Sequence, residues 1–123
     1  MKPSEIITQD VTRRKGDPKA VLASISKMVK GNQAIMMSTE GSVLLVKRLG
    51  EGLAELHLFT VESPLALARS LKTFIAKIKQ SDIKTVYGEA ENPQIIQLLQ
   101  SVGVKVSDSN LPNYNWKADV WAQ

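Results

Sequence analysis

Apolar residues at Leu67, Leu71, Phe74, Ile75 and Ile78 recur at i, i+4, i+7, i+8 and i+11. This stripe predicts an amphipathic helix that opens at Ser63-Pro64 and runs to about Gln80. Val21, Leu22, Ile25, Met28 and Val29 show the same spacing after Asp17-Pro18, an N-cap followed by a first-turn proline, and Gly31 closes that helix as its C′ residue. A third helix follows Asn92-Pro93, with Ile95, Ile96, Leu98, Leu99 and Val102 on one side and Gly103 at its end. Between the first two helices lie three short extended runs, 33–38, 42–48 and 53–61, separated by Glu40-Gly41 and Gly50-Glu51-Gly52. Turn residues of that kind predict an antiparallel meander of two hairpins. The unbroken run Val43-Leu44-Leu45-Val46 predicts a central strand covered on both faces.

Further strands are predicted at 83–87, 104–107 and 114–121, the last two joined by a polar loop at 108–113. Ile6 and Ile7, set among polar residues, suggest a short edge strand within 4–8. The strand, long helix, strand succession from 53 to 87 is the pattern of a right-handed parallel crossover. The predicted order is therefore β-α-β-β-β-α-β-α-β-β around one mixed sheet, in an α/β domain spanning 1–123.

Composition narrows the chemistry. A chain of 123 residues can bury a real core. It has no Cys and one His, which excludes disulfides, thiolate metal sites and a cysteine nucleophile. No metal site is expected. No apolar run approaches the roughly 18–20 residues of a membrane span. Glu5 and Asp10 stand where a signal peptide needs an apolar core, so a cytoplasmic protein without a membrane role is expected. The net charge of +4 is modest, and Arg13-Arg14-Lys15 reads as a solvated charged loop. Aromatics are few and terminal, and the element order is not that of an RNA-recognition module, which speaks against nucleic acid as a partner. No nucleotide-binding glycine fingerprint or nucleophile elbow is present.

The order of elements resembles the GNAT fold of acetyl-CoA-dependent N-acetyltransferases, with one helix instead of two between the first and second strands. Locally, Asn92, Ile95, Leu98 and Gly103 fall where that family places an Asn, a small or apolar residue, a Leu and a Gly before its sixth strand. The resemblance implies acetyl-CoA as the cofactor of an active member. The resemblance implies Val61, Leu65, Ala66 and Asn92 as the cofactor-binding residues, the first three in the stretch that corresponds to the family's Gly-rich pyrophosphate turn and helix N-terminus. The turn departs from the pattern: Thr60-Val61-Glu62-Ser63-Pro64 has no glycine, Pro64 removes an N–H donor, and Glu62 brings negative charge to the phosphate position. Many members carry a Tyr general acid one position after the helix leucine. Here that residue is Leu99, which has no proton to give.

Glu55 and His57 are the candidate base pair, since residues i and i+2 share one face of a strand. Their alternation with Leu56 and Leu58 is also that of any strand with one solvated face. Two functions follow. One is a degenerate GNAT-like protein without cofactor, serving as an interaction or assembly module with a protein partner or as a homodimer. The other is an active N-acetyltransferase using acetyl-CoA on an amine. Small size and degeneracy also resemble GNAT-like proteins encoded by tailed bacteriophages, some of which are associated with virion assembly or inhibit host enzymes; this implies a place in the host cytoplasm or the virion. The expected contact surfaces are the sheet edge beside the closing aromatic strand, where Tyr114 and Trp116 should share a face, and the basic helix face of Lys19, Lys27 and Lys30.

Overall fold

A computed structural model describes residues 1–89 and 93–120. Its elements run α1 (Pro3–Arg13), α2 (Pro18–Lys30), β1 (Ala34–Ser38), β2 (Ser42–Gly50), β3 (Leu53–Thr60), α3 (Pro64–Lys79), β4 (Thr85–Gly88), α4 (Pro93–Ser101), β5 (Ser107–Asp108) and β6 (Trp116–Asp119). Among the described residues the strands form one mixed sheet in the order β1-β2-β3-β4-β6-β5. The β1-β2-β3 meander is antiparallel, and α3 crosses over to bring β4 parallel to β3. The predicted α/β architecture and its order hold from α2 onward.

The first segment is the exception. Residues 4–8 belong to a helix, not to an edge strand. The helical signal is the spacing of Ile6, Ile7, Asp10 and Val11, all buried on one side of α1. Pro3 opens the first turn, and Glu5 Oε1 accepts from the Lys2 N–H at 3.3 Å. Two isoleucines alone do not separate a strand from a helix; the stripe continues through Asp10, whose burial depends on partners. Arg13 and Arg14 both pair with that carboxylate while remaining about half exposed themselves. The basic run is thus solvated but anchored.

Three helices end in the same way. In α1, α2 and α4 the residue after the C-cap takes positive φ: Lys15 at 64°, Asn32 at 58° and Gly103 at 91°. The next N–H reaches back to the third residue from the helix end: Gly16 to Val11, Gln33 to Met28 and Val104 to Leu99. Gly31 is therefore the C-cap of α2, with φ −84°, and Asn32 rather than Gly31 is C′. Asp17 caps the start of α2 as predicted, accepting from the N–H groups of Lys19 and Ala20.

Strand β2 is buried on both faces, and its alternation sorts two cores. Leu44 and Val46 pack with Leu67, Leu71, Phe74 and Ile78 of α3. Val43 and Leu45 pack with Ile6, Ile7 and Val11 of α1 and Ile25 of α2. The predicted closing strands are shorter than expected. β6 is confined to Trp116–Asp119 and lies inside the sheet, between β4 and β5, so the aromatic strand is not the edge. Tyr114 precedes it in a turn and leans on Tyr87 with ring centroids 5.6 Å apart. Trp116 joins the opposite, α3 and α4, core. Strand alternation does not reach Tyr114, and the two aromatics do not share a face. Trp121 lies outside the described residues.

The Trp116 indole lies over Gly88, its partner in the β4-β6 ladder. A Cβ at position 88 would stand 2.4 Å from Cζ2 of the ring. Only glycine leaves room for it.

Candidate functional site

Strands β3 and β4 pair over three steps, Leu53 with Thr85, Ala54 with Val86 and Glu55 with Tyr87. β3 then continues for five residues to Thr60 without β4, which ends at Gly88. The parallel pair opens at Glu55. Ala54, Leu56 and Leu58 face α3 and α4, while Phe59 joins the α1 and α2 core and Glu55 and His57 share its side of the strand.

The structure brings the predicted pair together. His57 Nε2 lies 2.9 Å from Glu55 Oε1, with Glu55 mostly buried and His57 about half exposed. Glu55 thereby orients the ring and leaves Nδ1 as the nitrogen for another partner. A residue that sequence reasoning did not assign completes this group. Burial pushes the Tyr114 hydroxyl pKa upward, and the charge of Glu55, a hydrogen bond to it and the charge of Glu89 act in the same direction. The Tyr114 hydroxyl is thus held in its neutral form near the Glu55 carboxylate. Tyr87 is buried beside it and donates to Asn110 Oδ1 at 3.1 Å. No spacing rule connects 114 with 55, because the contact is made by a loop folding over the sheet.

His57 also forms part of the wall of a cleft of about 580 Å³ between the sheet and the α1-α2 corner. Val21, Ile25, Met28 and Phe59 supply apolar walls; Arg14 and Ser24 supply polar ones. This volume is in the range of small-molecule sites. Arg14 stands 5.8 Å from the centroid of Phe59 and is held there by Asp10.

The opposite side of the opening is closed. The void lined by Leu56, Val86, Leu99 and Trp116 measures about 30 Å³, the space of one water. Leu99 is 6% exposed and belongs to the core, as its stripe position implied. At the start of α3, Ser63 makes no side-chain cap, so the N–H groups of Leu65 and Ala66 are uncapped from that side. Val61 gives its N–H to the Gly41 carbonyl at 2.9 Å. Asn92 lies outside the described residues.

Glu62 corrects an expectation. Its carboxylate does not oppose the helix N-terminus but turns to the β1-β2 hairpin and the flank of α3. Oε1 accepts from Ser42, from Ser70 at 2.6 Å and from Thr39 at 3.4 Å, and Ser42 is also bonded to Thr60 at 2.7 Å. Gly41 is required here, since a Cβ would fall 2.5 Å from Glu62 Cγ.

Tested against coenzyme A, these residues fit poorly. Val61 and Glu62 use their N–H groups in bonds to Gly41 and Thr60 and Pro64 has none, which leaves Leu65 and Ala66 as the uncapped donors. Leu99 carries no proton, and the space behind the opening is filled. One feature runs the other way: Trp116 Nε1 is buried and finds no hydrogen-bond partner among the described residues. No group of three metal-ligating side chains occurs among the described residues, and none of their helices is long and apolar enough to cross a membrane.

The antiparallel meander, the parallel crossover and the order of elements around one mixed sheet are those of the GNAT fold. Solved structures agree. A chimeric spermidine N-acetyltransferase of Vibrio cholerae and hSSAT superposes with a TM-score of 0.59 at 7% identity, covering 97% of this chain and 90% of that one. The ribosomal-protein-S18-alanine N-acetyltransferase of Escherichia coli gives 0.57 at 13% identity, covering 97% and 86%. The microcin C7 self-immunity acetyltransferase, solved with acetyl-CoA and AMP, gives 0.59 at 8% identity over 94% and 81%. No family model and no curated protein matches the sequence. At these identities the likeness is one of fold.

Proposed function

We propose that this chain is a degenerate GNAT-fold protein that acts by binding, as an interaction or assembly module of one domain, and does not transfer acetyl groups. The observation that carries this proposal is the closed side of the β3-β4 opening. Leu99 takes the place of a general acid and is buried with Trp116 around a void of about 30 Å³. A role in phage virion assembly or host inhibition, in the host cytoplasm or in a virion, fits the resemblance in size and degeneracy. Thermal melting with millimolar acetyl-CoA or coenzyme A tests the proposal. A ligand at about 100 times its Kd stabilises by about 2.7 kcal/mol, which is several degrees for a domain of this size. The expected result is an unchanged midpoint; a dose-dependent rise overturns the proposal.

A second reading, an acetyl-CoA-dependent N-acetyltransferase acting on an amine, is favoured by the Glu55–His57 contact beside an open cleft. In that reading His57, oriented by Glu55, takes the proton from the amine. Val61, Leu65 and Ala66 are the residues beside the phosphates, and Glu62, held by Ser42 and Ser70, leaves the start of α3 to them. The same melting experiment separates the two readings.

A further inference from the structure

Strand β1 is an edge of the sheet, and its outer side pairs with no strand among the described residues. Its inner side is fixed by the hydrogen bonds that bracket it: Arg48 N–H to the Gln33 carbonyl at 3.1 Å and Thr39 N–H to the Ser42 carbonyl at 2.9 Å. Odd-numbered residues therefore turn their backbone groups toward β2. Those of Ala34, Met36 and Ser38 point outward. The strand reads Ala-Ile-Met-Met-Ser, without the lysine, proline or bulge that normally blunts an edge. It also exposes a large apolar side chain on each face of the sheet. Ile35, on the α3 side, is 58% exposed, and Met36, on the α2 side, is 41% exposed.

We infer that β1 pairs antiparallel with β1 of a second copy of this chain, about a two-fold axis through Met36, joining the two sheets. The outward residues then match one another: Met36 faces Met36, and Ala34 faces Ser38 on both sides of the axis. Ile35 meets Met37 of the second copy on the opposite face, so each exposed apolar side chain is covered. The strand carries no charge, so self-pairing brings no like charges together. Just beyond its ends each copy carries an exposed Lys30 on one side and an exposed Glu40 on the other, and antiparallel pairing directs the Lys30 end of each copy toward the Glu40 end of its mate. This deepens the binding-module proposal by naming the partner, and it rests on that proposal.

Light scattering on the full chain should give twice the 13.5 kDa protomer mass. M36K and M36E should each lose the dimer, since each sets two like charges on the axis. An equimolar mixture of the two should regain it. Position 36 is exposed, so melting of each variant confirms that the fold is intact. The chain lacks cysteine, so M36C offers a single thiol. Opposed residues of a hydrogen-bonded antiparallel pair have Cα atoms about 5.5 Å apart, within disulfide reach. Mild oxidation should therefore cross-link M36C but not L65C, at a surface position on α3. A monomer at all concentrations, a dimer indifferent to M36K and M36E, or equal cross-linking of the two cysteine variants overturns the inference. If that monomer also ignores acetyl-CoA, the dimer fails and the binding-module proposal stands; a dimer stabilised by acetyl-CoA does the reverse.

Discussion

The two faces of the sheet are built from different materials. Behind it, α3 and α4 close over a continuous apolar layer from Leu44 to Trp116. In front, α1 and α2 cover only the β1-β2-β3 side and leave a cleft, a buried Asp10 and the Glu55, His57 and Tyr114 group. Burial of an aliphatic or aromatic side chain stabilises by roughly 1.5–3 kcal/mol without asking for a partner. A buried carboxylate stabilises only while its partners are in place. The rear face therefore holds most of the apolar burial that stabilises the fold, while the front face holds the cleft and the polar groups whose burial depends on partners.

That contrast is breakable. Phe74→Ala, at the centre of the rear layer and 1% exposed, should cost about 3–5 kcal/mol by urea unfolding. Met28→Ala on the half-buried cleft wall should cost far less, and equal losses would erase the distinction. Asp10→Ala should cost about 1–3 kcal/mol, because two charge-assisted bonds are lost while Arg13 and Arg14 can still be hydrated. A larger loss than that of Phe74→Ala would make the front face the structural one. The smallest effect is in alkali. The Tyr114 pKa is raised on folding, so its contribution is fully present below the unfolded value near 10 and is lost as pH rises through the folded one. Tyr114→Phe should flatten the stability curve above about pH 10. A tyrosinate titration in which the signal lost in Tyr114→Phe lies at the ordinary tyrosine value would contradict the hydroxyl's place near Glu55.

The rear face was legible from residue order, and the front face was only partly so. The stripe through Phe74 and the run Val43 to Val46 encode burial directly, since period and apolarity are properties of adjacent residues. Glu55 and His57 could be paired because strand alternation is also local. Helix α1 is hidden from residue order because its stripe is completed by a charged residue, Asp10, whose burial depends on Arg13 and Arg14. Tyr114 and the turned carboxylate of Glu62 were out of reach for another reason. Their partners lie 59 and 20 positions away and are chosen by tertiary folding, not by spacing. The edge moved from the aromatic strand to β1 because strand order follows crossovers that short apolar runs do not specify.

The stacking of Trp116 on Gly88 bears on how this scaffold could be re-engineered. A strand usually ends where its ladder of backbone bonds ends, but β4 stops beneath an aromatic plate that also roofs the space next to Leu56. The plate works as a plug at the mouth of the opening. Shrinking it would enlarge the small void beside Leu56, so position 116 sets how tightly this end of the rear layer is sealed.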